Sequence, residues 1–212
     1  MKLMQYIKYL FFGVLSLLVI GAIIFGILVK NSLPKDSGEL ATSKISEEVL
    51  IYKDSWGIPH IKAQNKQDAI FAYGYTVAKD RLFQMDLQRR LSQGKLSALL
   101  GDDLIEIDIM FRTYLFKNWA ENYLSSTNVS EESLHYVNAF VEGVNHFVET
   151  GEKPFEYYLL NANVEPFSAV DVASMTAYMA FTFMDGIRFD GLYTMLKEKV
   201  GEENMAILFP DY

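Results

Sequence analysis

An unbroken apolar run near the N terminus constrains this 212-residue chain more than any other feature of its sequence. The run extends from Leu10 to Val29, contains one polar residue, Ser16, and has lysines on both sides. A helix of this length covers about 30 Å, the thickness of the hydrocarbon core of a bilayer. Residues 1–30 are therefore predicted to be a membrane anchor.

A cleaved signal peptide is the alternative to an anchor. Signal peptides usually have an apolar core of about 7–15 residues, followed by a cleavage site of small residues. The run here is longer, and its end with the residues that follow, LVKNSLPKDS, contains no such site. An uncleaved anchor is favoured, and the flanking lysines leave its orientation undecided.

Charge and cysteine content exclude several classes of function. The formal net charge of -8 argues against a nucleic-acid partner, which requires clustered positive charge. The chain has no cysteine, so disulfides, a thiolate nucleophile and a zinc–thiolate site are excluded.

The remaining sequence indicates a polar linker followed by one region of strands and helices. Residues 31–46 are rich in polar residues and turn formers, and residues 47–212 form the predicted domain. Two short runs of β-forming residues, Glu48–Tyr52 and Ile58–Ala63, are separated by turn residues and predict a hairpin. Because two strands alone do not make a stable sheet, the pattern indicates an α+β fold that is incomplete within this chain.

Helix signals follow the hairpin. Asp68 is the predicted N-cap of a first helix, in which apolar residues recur every three or four positions until Gly94. A short helix is predicted to end at Gly101. Ser130 begins another helix that stops near Gly151, and Ser168–Asp171 matches a capping box. The last predicted helix covers Leu192–Val200 and stops at Gly201.

No catalytic motif is complete in this sequence. Metalloprotease, nucleotide-binding and serine-hydrolase signatures are all absent. The three histidines, His60, His135 and His146, have no metal-binding spacing. Carboxylates are plentiful, but nothing in their spacing singles out a catalytic pair.

One ordered set of motifs is nevertheless specific. Residues 52–101 read YKDSWGIPHIKAQNKQDAIFAYGYTVAKDRLFQMDLQRRLSQGKLSALLG. This stretch resembles the start of the α chain in the penicillin acylase family, whose pattern is R-D-x-x-G-[VI]-P-H-I-x-A, then F-x-x-G-[YF]-x-x-A-x-D-R-[LM]-[FW]-Q-M, then R-R-x-x-x-G. Lys53 replaces the first Arg. A looser resemblance continues through FVEGVNHFV and KPFEYYLLNANVEPFSAVDV, so it covers about Leu33 to Gly201.

The resemblance implies an N-terminal-nucleophile amidohydrolase with a four-layer αββα fold. Family members are made as precursors that cut themselves before a Ser, whose free α-amino group then acts as the base for its own hydroxyl. None of the thirteen glycines here is followed by Ser, Thr or Cys, so the usual Gly-Ser junction is absent. We therefore expect the nucleophile on a β chain that these residues do not include, and we expect this chain alone to be inactive.

The resemblance also implies site residues. Met179 and Phe183 match positions that line the acyl pocket in the family, and Thr182 stands where some members carry Arg. A helix core stripe is the alternative for Met179 and Phe183. Asp185 and Asp190 lie where several members give one carboxylate to a structural calcium ion shared with the β chain.

The charged residues within the motifs receive a structural interpretation. We expect Asp80, Arg81, Arg89 and Arg90 to form buried or interface ion pairs that pack the helix against the missing sheet. His60 is expected to be a structural hydrogen-bonding residue rather than a catalytic base.

The leading hypothesis is thus the α-chain portion of an extracytoplasmic, membrane-anchored acylase acting on an N-acyl amide of the β-lactam or acyl-homoserine-lactone type. Its expected partners are the β chain, the substrate and the membrane. The alternative is a non-catalytic, membrane-tethered remnant that binds acyl ligands or partner chains.

Overall fold

The computed structural model describes residues 2–35, 37–127 and 129–209, with the side chains of 2, 3, 185–188 and 206 left out. It contains ten α-helices and one two-stranded sheet within those ranges. In chain order the elements are α1 (Lys2–Ser32), β1 (Leu50–Lys53), β2 (Pro59–Lys62), α2 (Lys66–Ser92), α3 (Ser97–Leu100), α4 (Ile105–Tyr114), α5 (Phe116–Leu124), α6 (Glu131–Thr150), α7 (Phe155–Leu159), α8 (Ala169–Phe183), α9 (Asp185–Val200) and α10 (Glu202–Leu208).

The apolar N-terminal run forms α1. The segment Met4–Ser32 is the single candidate membrane span in the described part of the chain, and none of its most apolar window is buried. Its length and hydropathy suit either a membrane span or a signal sequence.

The predicted hairpin is present, with slightly different bounds. Strands β1 and β2 are antiparallel, and Ile51 pairs with Ile61. The carboxylate of Asp54 accepts hydrogen bonds from the backbone amides of Trp56 and Ile58, which closes the turn between the strands. Every residue of the two strands is exposed or half-buried, so the described part of the chain buries neither face of this sheet fully.

The core lies where α2 packs on α6. Ala78, Leu82 and Met85 of α2 are buried against Val144 and Phe147 of α6, which confirms the predicted apolar stripe. The two helices approach closely because each presents a glycine at the crossing. A Cβ atom on Gly74 would overlap the carbonyl oxygen of Phe140, and one on Gly143 would overlap that of Phe71.

The N-cap predicted for α2 was wrong by three residues. Asn65 is the N-cap, and its side-chain oxygen accepts a hydrogen bond from the amide of Asp68 at 2.8 Å. The Asp68 carboxylate instead accepts hydrogen bonds from the amides of Ser46 and Glu47, each at 3.0 Å. It therefore ties the end of the linker to the first turn of α2.

Most other helix ends agree with the sequence. Gly94 and Gly101 follow α2 and α3, both with positive φ, and Ser130 caps α6. Ser168 and Asp171 form the predicted capping box of α8. The last predicted helix is longer than expected, because α9 begins at Asp185 rather than Leu192.

Candidate functional site

The predicted acyl-pocket residues lie together at the C-terminal end of α8. Met179 and Phe183 are one helical turn apart, and their residues are 54% and 78% exposed. Thr182 is also exposed, and its hydroxyl donates a hydrogen bond to the carbonyl oxygen of Met179 at 2.7 Å. The three side chains thus occupy the same open end of the helix.

This exposure bears on the two interpretations of Met179 and Phe183. Neither residue belongs to the buried core formed by the described residues of this chain. A further polypeptide would cover them in either interpretation, so the acyl pocket and the helix core stripe both stay predictions.

An aromatic cluster supports the opposite side of α8. Tyr114 and Phe181 have ring centroids 4.7 Å apart, and Phe111 meets Tyr178 edge to face at 5.5 Å. Phe116 also contacts Phe181, at 5.6 Å. These contacts hold the end of α8 against α4 and α5. This cluster was not predicted, although the aromatic residues at 111, 114 and 116 and at 178 and 181 were a signal for it in the sequence.

Polar contacts fix the beginning of α8 to the end of α2. The side-chain amide of Gln93 donates to the carboxylate of Asp171 at 2.5 Å, and the hydroxyls of Ser92 and Ser174 lie 3.3 Å apart. All four residues are buried. The helix that carries Met179 and Phe183 is therefore anchored at both ends, as a binding wall requires.

Of the two carboxylates predicted to bind calcium, only that of Asp190 lies among the described side chains. Asp190 is exposed on α9, whereas the side chain of Asp185 lies outside the described residues. No group of three or more histidine, aspartate or glutamate residues that could hold a metal occurs among the described side chains. Because calcium takes six to eight oxygen ligands, the residues described here do not fit a calcium site by themselves.

The charges of the sequence motif form a buried cluster around Asp86. One carboxylate oxygen of Asp86 accepts from Nε and Nη2 of Arg89, and the other accepts from Nε of Arg90 at 3.0 Å. The hydroxyl of Tyr157 donates to the same carboxylate at 2.8 Å. Arg89 also donates to the carbonyl oxygens of residues 165 and 166.

The expected ion pairs of Arg89 and Arg90 are thus confirmed. Within this chain, the cluster connects α2 to α7 through Tyr157 and to the segment before α8 through Arg89. Packing against a sheet outside this chain stays a prediction. Burial and the negative charge of Asp86 both raise the pKa of Tyr157, which keeps its hydroxyl a donor. The contribution of Tyr157 was missed because 71 residues separate it from Asp86.

The other charged motif residues make exposed structural contacts. Asp80 pairs with Lys53 at 2.7 Å, which links α2 to the hairpin, and Arg81 donates to the side chain of Gln84. Nε2 of His60 lies 3.1 Å from Asp54, and this hydrogen bond is the main reason that the pKa of Asp54 is lowered. His60 thus makes a hydrogen bond of the kind expected, and its structural role stays a prediction.

A polar open cavity of about 310 Å³ lies between the end of α2, α5 and the beginning of α8. Charges of both signs line it, and Lys117 and Glu121 on its wall form an ion pair at 3.5 Å. The hydroxyl of Ser168, also on the wall, is engaged by the capping box. Met179, Thr182 and Phe183 do not line this cavity, which contains no histidine and no nucleophile–base pair among its described residues.

Comparisons with known proteins agree with the sequence motifs. The penicillin amidase family model matches residues 48–212. Penicillin acylase 2 proenzyme of Pseudomonas sp. strain SE83 is 39% identical over 139 residues, which are 65% of this chain and 18% of that protein. Acyl-homoserine lactone acylase QuiP of Pseudomonas aeruginosa is 29% identical over 184 residues, which are 86% of this chain and 22% of that protein. The chain thus spans about a fifth of the length of these relatives.

A solved structure supports the same relationship. Thermostable penicillin G acylase from Alcaligenes faecalis matches with a TM-score of 0.60 and 27% sequence identity, over 78% of this chain and 90% of the matched chain. The family match, over residues 48–212, includes the helices that carry the motifs described above. From residue 48 onwards, the chain belongs to the penicillin amidase family.

Proposed function

We propose that this chain is the α-chain portion of an amidohydrolase that cleaves the amide bond of an N-acyl substrate, with its serine nucleophile on a further polypeptide. The exposed end of α8 carries the proposal. Met179 and Phe183 expose large apolar side chains one turn apart on the same helix, and exposed apolar patches mark surfaces that bind a ligand or another chain. Both residues occupy positions that resemble acyl-pocket positions in the family.

In the assembled protein, Met179 and Phe183 would form an apolar wall for the acyl group, and Thr182 would present a hydroxyl beside it. The catalytic steps would belong to the other polypeptide, which would supply the N-terminal amine and the oxyanion-hole donors. The same polypeptide would complete the αββα fold. Calcium enters this proposal only with oxygen ligands from that polypeptide, and Asp190 would supply one carboxylate. An extracytoplasmic domain held by α1 completes the proposed arrangement.

The uncovered hairpin supports a missing partner. A two-stranded sheet with both faces accessible to water is marginally stable alone, and pairing with further strands would bury it. This chain spans about a fifth of the length of its relatives. A β chain of the same precursor would supply much of the remaining length, and it is the partner that we propose for the hairpin.

Substitution at the open end of α8 tests the role of this chain in substrate selection. In the assembled enzyme, Phe183→Ala should change the relative kcat/KM values for short and long acyl groups by about 10- to 100-fold, because apolar contacts in such a pocket are worth about 1–3 kcal/mol. Leu100→Ala, at an exposed leucine on α3, is the matched control and should leave the ratio unchanged. An unchanged ratio in Phe183→Ala would remove this residue from the acyl pocket.

Reading the gene beyond the codon for Tyr212 distinguishes the two candidate functions. Several hundred further codons with a Gly-Ser junction would support the acylase. A stop codon without a neighbouring β-like frame would contradict it for this polypeptide, and would leave the membrane-tethered remnant.

A further inference from the structure

A second open cavity lies where the anchor helix meets the domain. It has a volume of about 370 Å³, within the usual range of small-ligand sites. Ser32 and Pro34 at the end of α1 form one side. The residues 79–84 of α2 form another side, and residues around α7 complete it. The family model begins at residue 48, so the wall contributed by α1 lies outside the family match.

The position of this cavity is set by contacts between α1 and the domain. The ring of Phe25 in α1 meets the ring of Phe155 in α7 edge to face at 5.3 Å. Lys35, just after α1, lies 3.7 Å from Glu152 and accepts a hydrogen bond from Lys79 through its carbonyl oxygen. If α1 spans the bilayer, these contacts place the cavity at the depth of the lipid headgroups.

Helix α7 has the properties of a membrane-facing element beside the cavity. Leu159 is 64% exposed, and its neighbours Tyr158 and Leu160 are exposed as well. Tyrosine and leucine side chains at this level partition favourably into the interfacial region of a bilayer. The nearby Lys153 lies over the ring of Tyr158 and adds positive charge at the same height.

The charges of the cavity suit a headgroup that carries both signs. Asp80 and Glu152 on its wall are already paired with lysines. Among the described residues, neither Lys79 nor Arg81 has a carboxylate partner, and Glu156 has no cationic partner. Lys79 donates to the carbonyl oxygen of Lys35, and Arg81 donates to the side chain of Gln84. The cavity therefore has two cationic side chains whose charge no described carboxylate neutralises, and one carboxylate that no described cation neutralises. Arg81 is exposed at the kink of α2, where its φ of -141° and ψ of 18° depart from helical values.

We propose that this cavity binds the headgroup of a zwitterionic phospholipid on the side of the domain that rests on the bilayer. The phosphate would lie between Lys79 and Arg81, as charge-assisted hydrogen bonds favour, and the amine would face Glu156. The apolar walls formed by Phe83 and Phe155 would contact the glycerol and the first acyl carbons. This inference rests on the proposed anchoring by α1 and is independent of amide hydrolysis.

Photo-crosslinking in nanodiscs tests the proposal with the full chain. Gln84, an exposed residue of the cavity, is replaced by p-benzoylphenylalanine, and the nanodiscs contain equal amounts of phosphatidylethanolamine and phosphatidylglycerol. Irradiation should attach one phospholipid, with phosphatidylethanolamine in excess of its share. Glu131, an exposed residue at the opposite end of α6, receives the same photo-crosslinking residue as the control and should give only background adducts.

Charge removal supplies the decisive comparison. K79Q together with R81Q should lower the adduct at position 84 about tenfold, because the charged donors for the phosphate are lost. E156Q should remove the preference for phosphatidylethanolamine. Equal adducts at positions 84 and 131, or an adduct insensitive to K79Q/R81Q, would overturn the proposal. The intact mass of the purified protein shows whether α1 is still attached. A mass that corresponds to a chain without α1 would also overturn the lipid-binding proposal, without bearing on amide hydrolysis.

A fluorescent label provides a second readout that does not depend on the cavity. Because the chain has no native cysteine, Leu159→Cys can be labelled at a single position. Its fluorescence should be quenched by lipids that carry a quencher near the headgroup, whereas a label at Glu131→Cys should not be. The absence of quenching at position 159 would contradict contact between α7 and the bilayer.

Discussion

The hydroxyl of Tyr157 lies 2.8 Å from a carboxylate oxygen of Asp86, and both side chains are fully buried. Asp86 belongs to α2 and Tyr157 to α7, so one hydrogen bond joins two helices that are far apart in sequence. The same carboxylate binds Arg89 and Arg90. Arg89 and Arg90 of the family motif therefore form, with Asp86 and Tyr157, a buried polar joint between α2 and α7.

Removing the Tyr157 hydroxyl should destabilise this joint. Tyr157→Phe takes one of the four donors from Asp86 while keeping the ring, and we expect a loss of about 1–3 kcal/mol in the free energy of unfolding. Urea denaturation of the full chain in detergent measures the loss. Tyr158→Phe, at the exposed neighbour, is the control and should change the midpoint little; equal effects of the two substitutions would contradict the account.

Alkaline pH should weaken the same joint. The pKa of Tyr157 is raised in the folded chain by burial and then by Asp86, above the value of about 10 for an unfolded tyrosine. This contribution to stability is fully present below pH 10 and is lost as the pH rises further. The wild-type chain should lose stability more steeply than Tyr157→Phe above about pH 10. The free energies of unfolding of the two proteins are measured in urea at increasing pH. If they fall in parallel, the Tyr157 hydroxyl does not contribute this pH-dependent stability.

The glycine at the crossing of α2 and α6 should be intolerant of any side chain. Gly143→Ala would force its Cβ into the carbonyl oxygen of Phe71, and separating the two helices should cost about 1–3 kcal/mol or more. Gly191→Ala is the matched control, since no atom lies within 4 Å of its added Cβ and it is also helical. There we expect a gain of about 0.5–1 kcal/mol from better helix propensity. Thermal denaturation gives both values, and a neutral Gly143→Ala would contradict the close approach.

Asp68 should control the order of the linker. Burial alone would raise its pKa, but hydrogen bonds from Ser46, Asn65 and Glu47 outweigh burial and lower it. Its stabilising effect is therefore present above about pH 4 and is lost as the pH falls through the lowered value. In Asp68→Ala, the amides of Ser46 and Glu47 should exchange hydrogen much faster than in the wild type at neutral pH. Asp103→Ala, at an exposed aspartate, is the control and should leave the exchange of both amides unchanged. Persistent protection of the two amides in Asp68→Ala would contradict the role of the Asp68 carboxylate in holding the end of the linker.

Local signals in the sequence were sufficient where the chain uses side-chain caps and glycines. The capping box of Ser168 and Asp171 and the stop at Gly94 required only neighbouring residues. Helices α4 and α5 were missed because they are separated by Leu115, which adopts a positive φ of 59° although leucine gives no turn signal. For α2, Asn65 and Asp68 are both good N-cap residues, and the sequence could not show that Ser46 and Glu47 occupy the Asp68 carboxylate.

The candidate site was predictable only through the resemblance to a family. The spacing of Met179, Thr182 and Phe183 equally suits a buried stripe, and the packing of Phe181 and Tyr178 on α4 and α5 decides which face of α8 stays open. The Tyr157–Asp86 contact depends on tertiary packing and has no local signal.

Hydrolysis of N-acyl p-nitroanilides tests the central claim most directly. The assay compares residues 1–212 alone with the protein translated from the same start through the codons that follow Tyr212. We predict release of p-nitroaniline by the longer protein and none by residues 1–212. Hydrolysis by residues 1–212 alone, or none by a folded longer protein, would contradict the account.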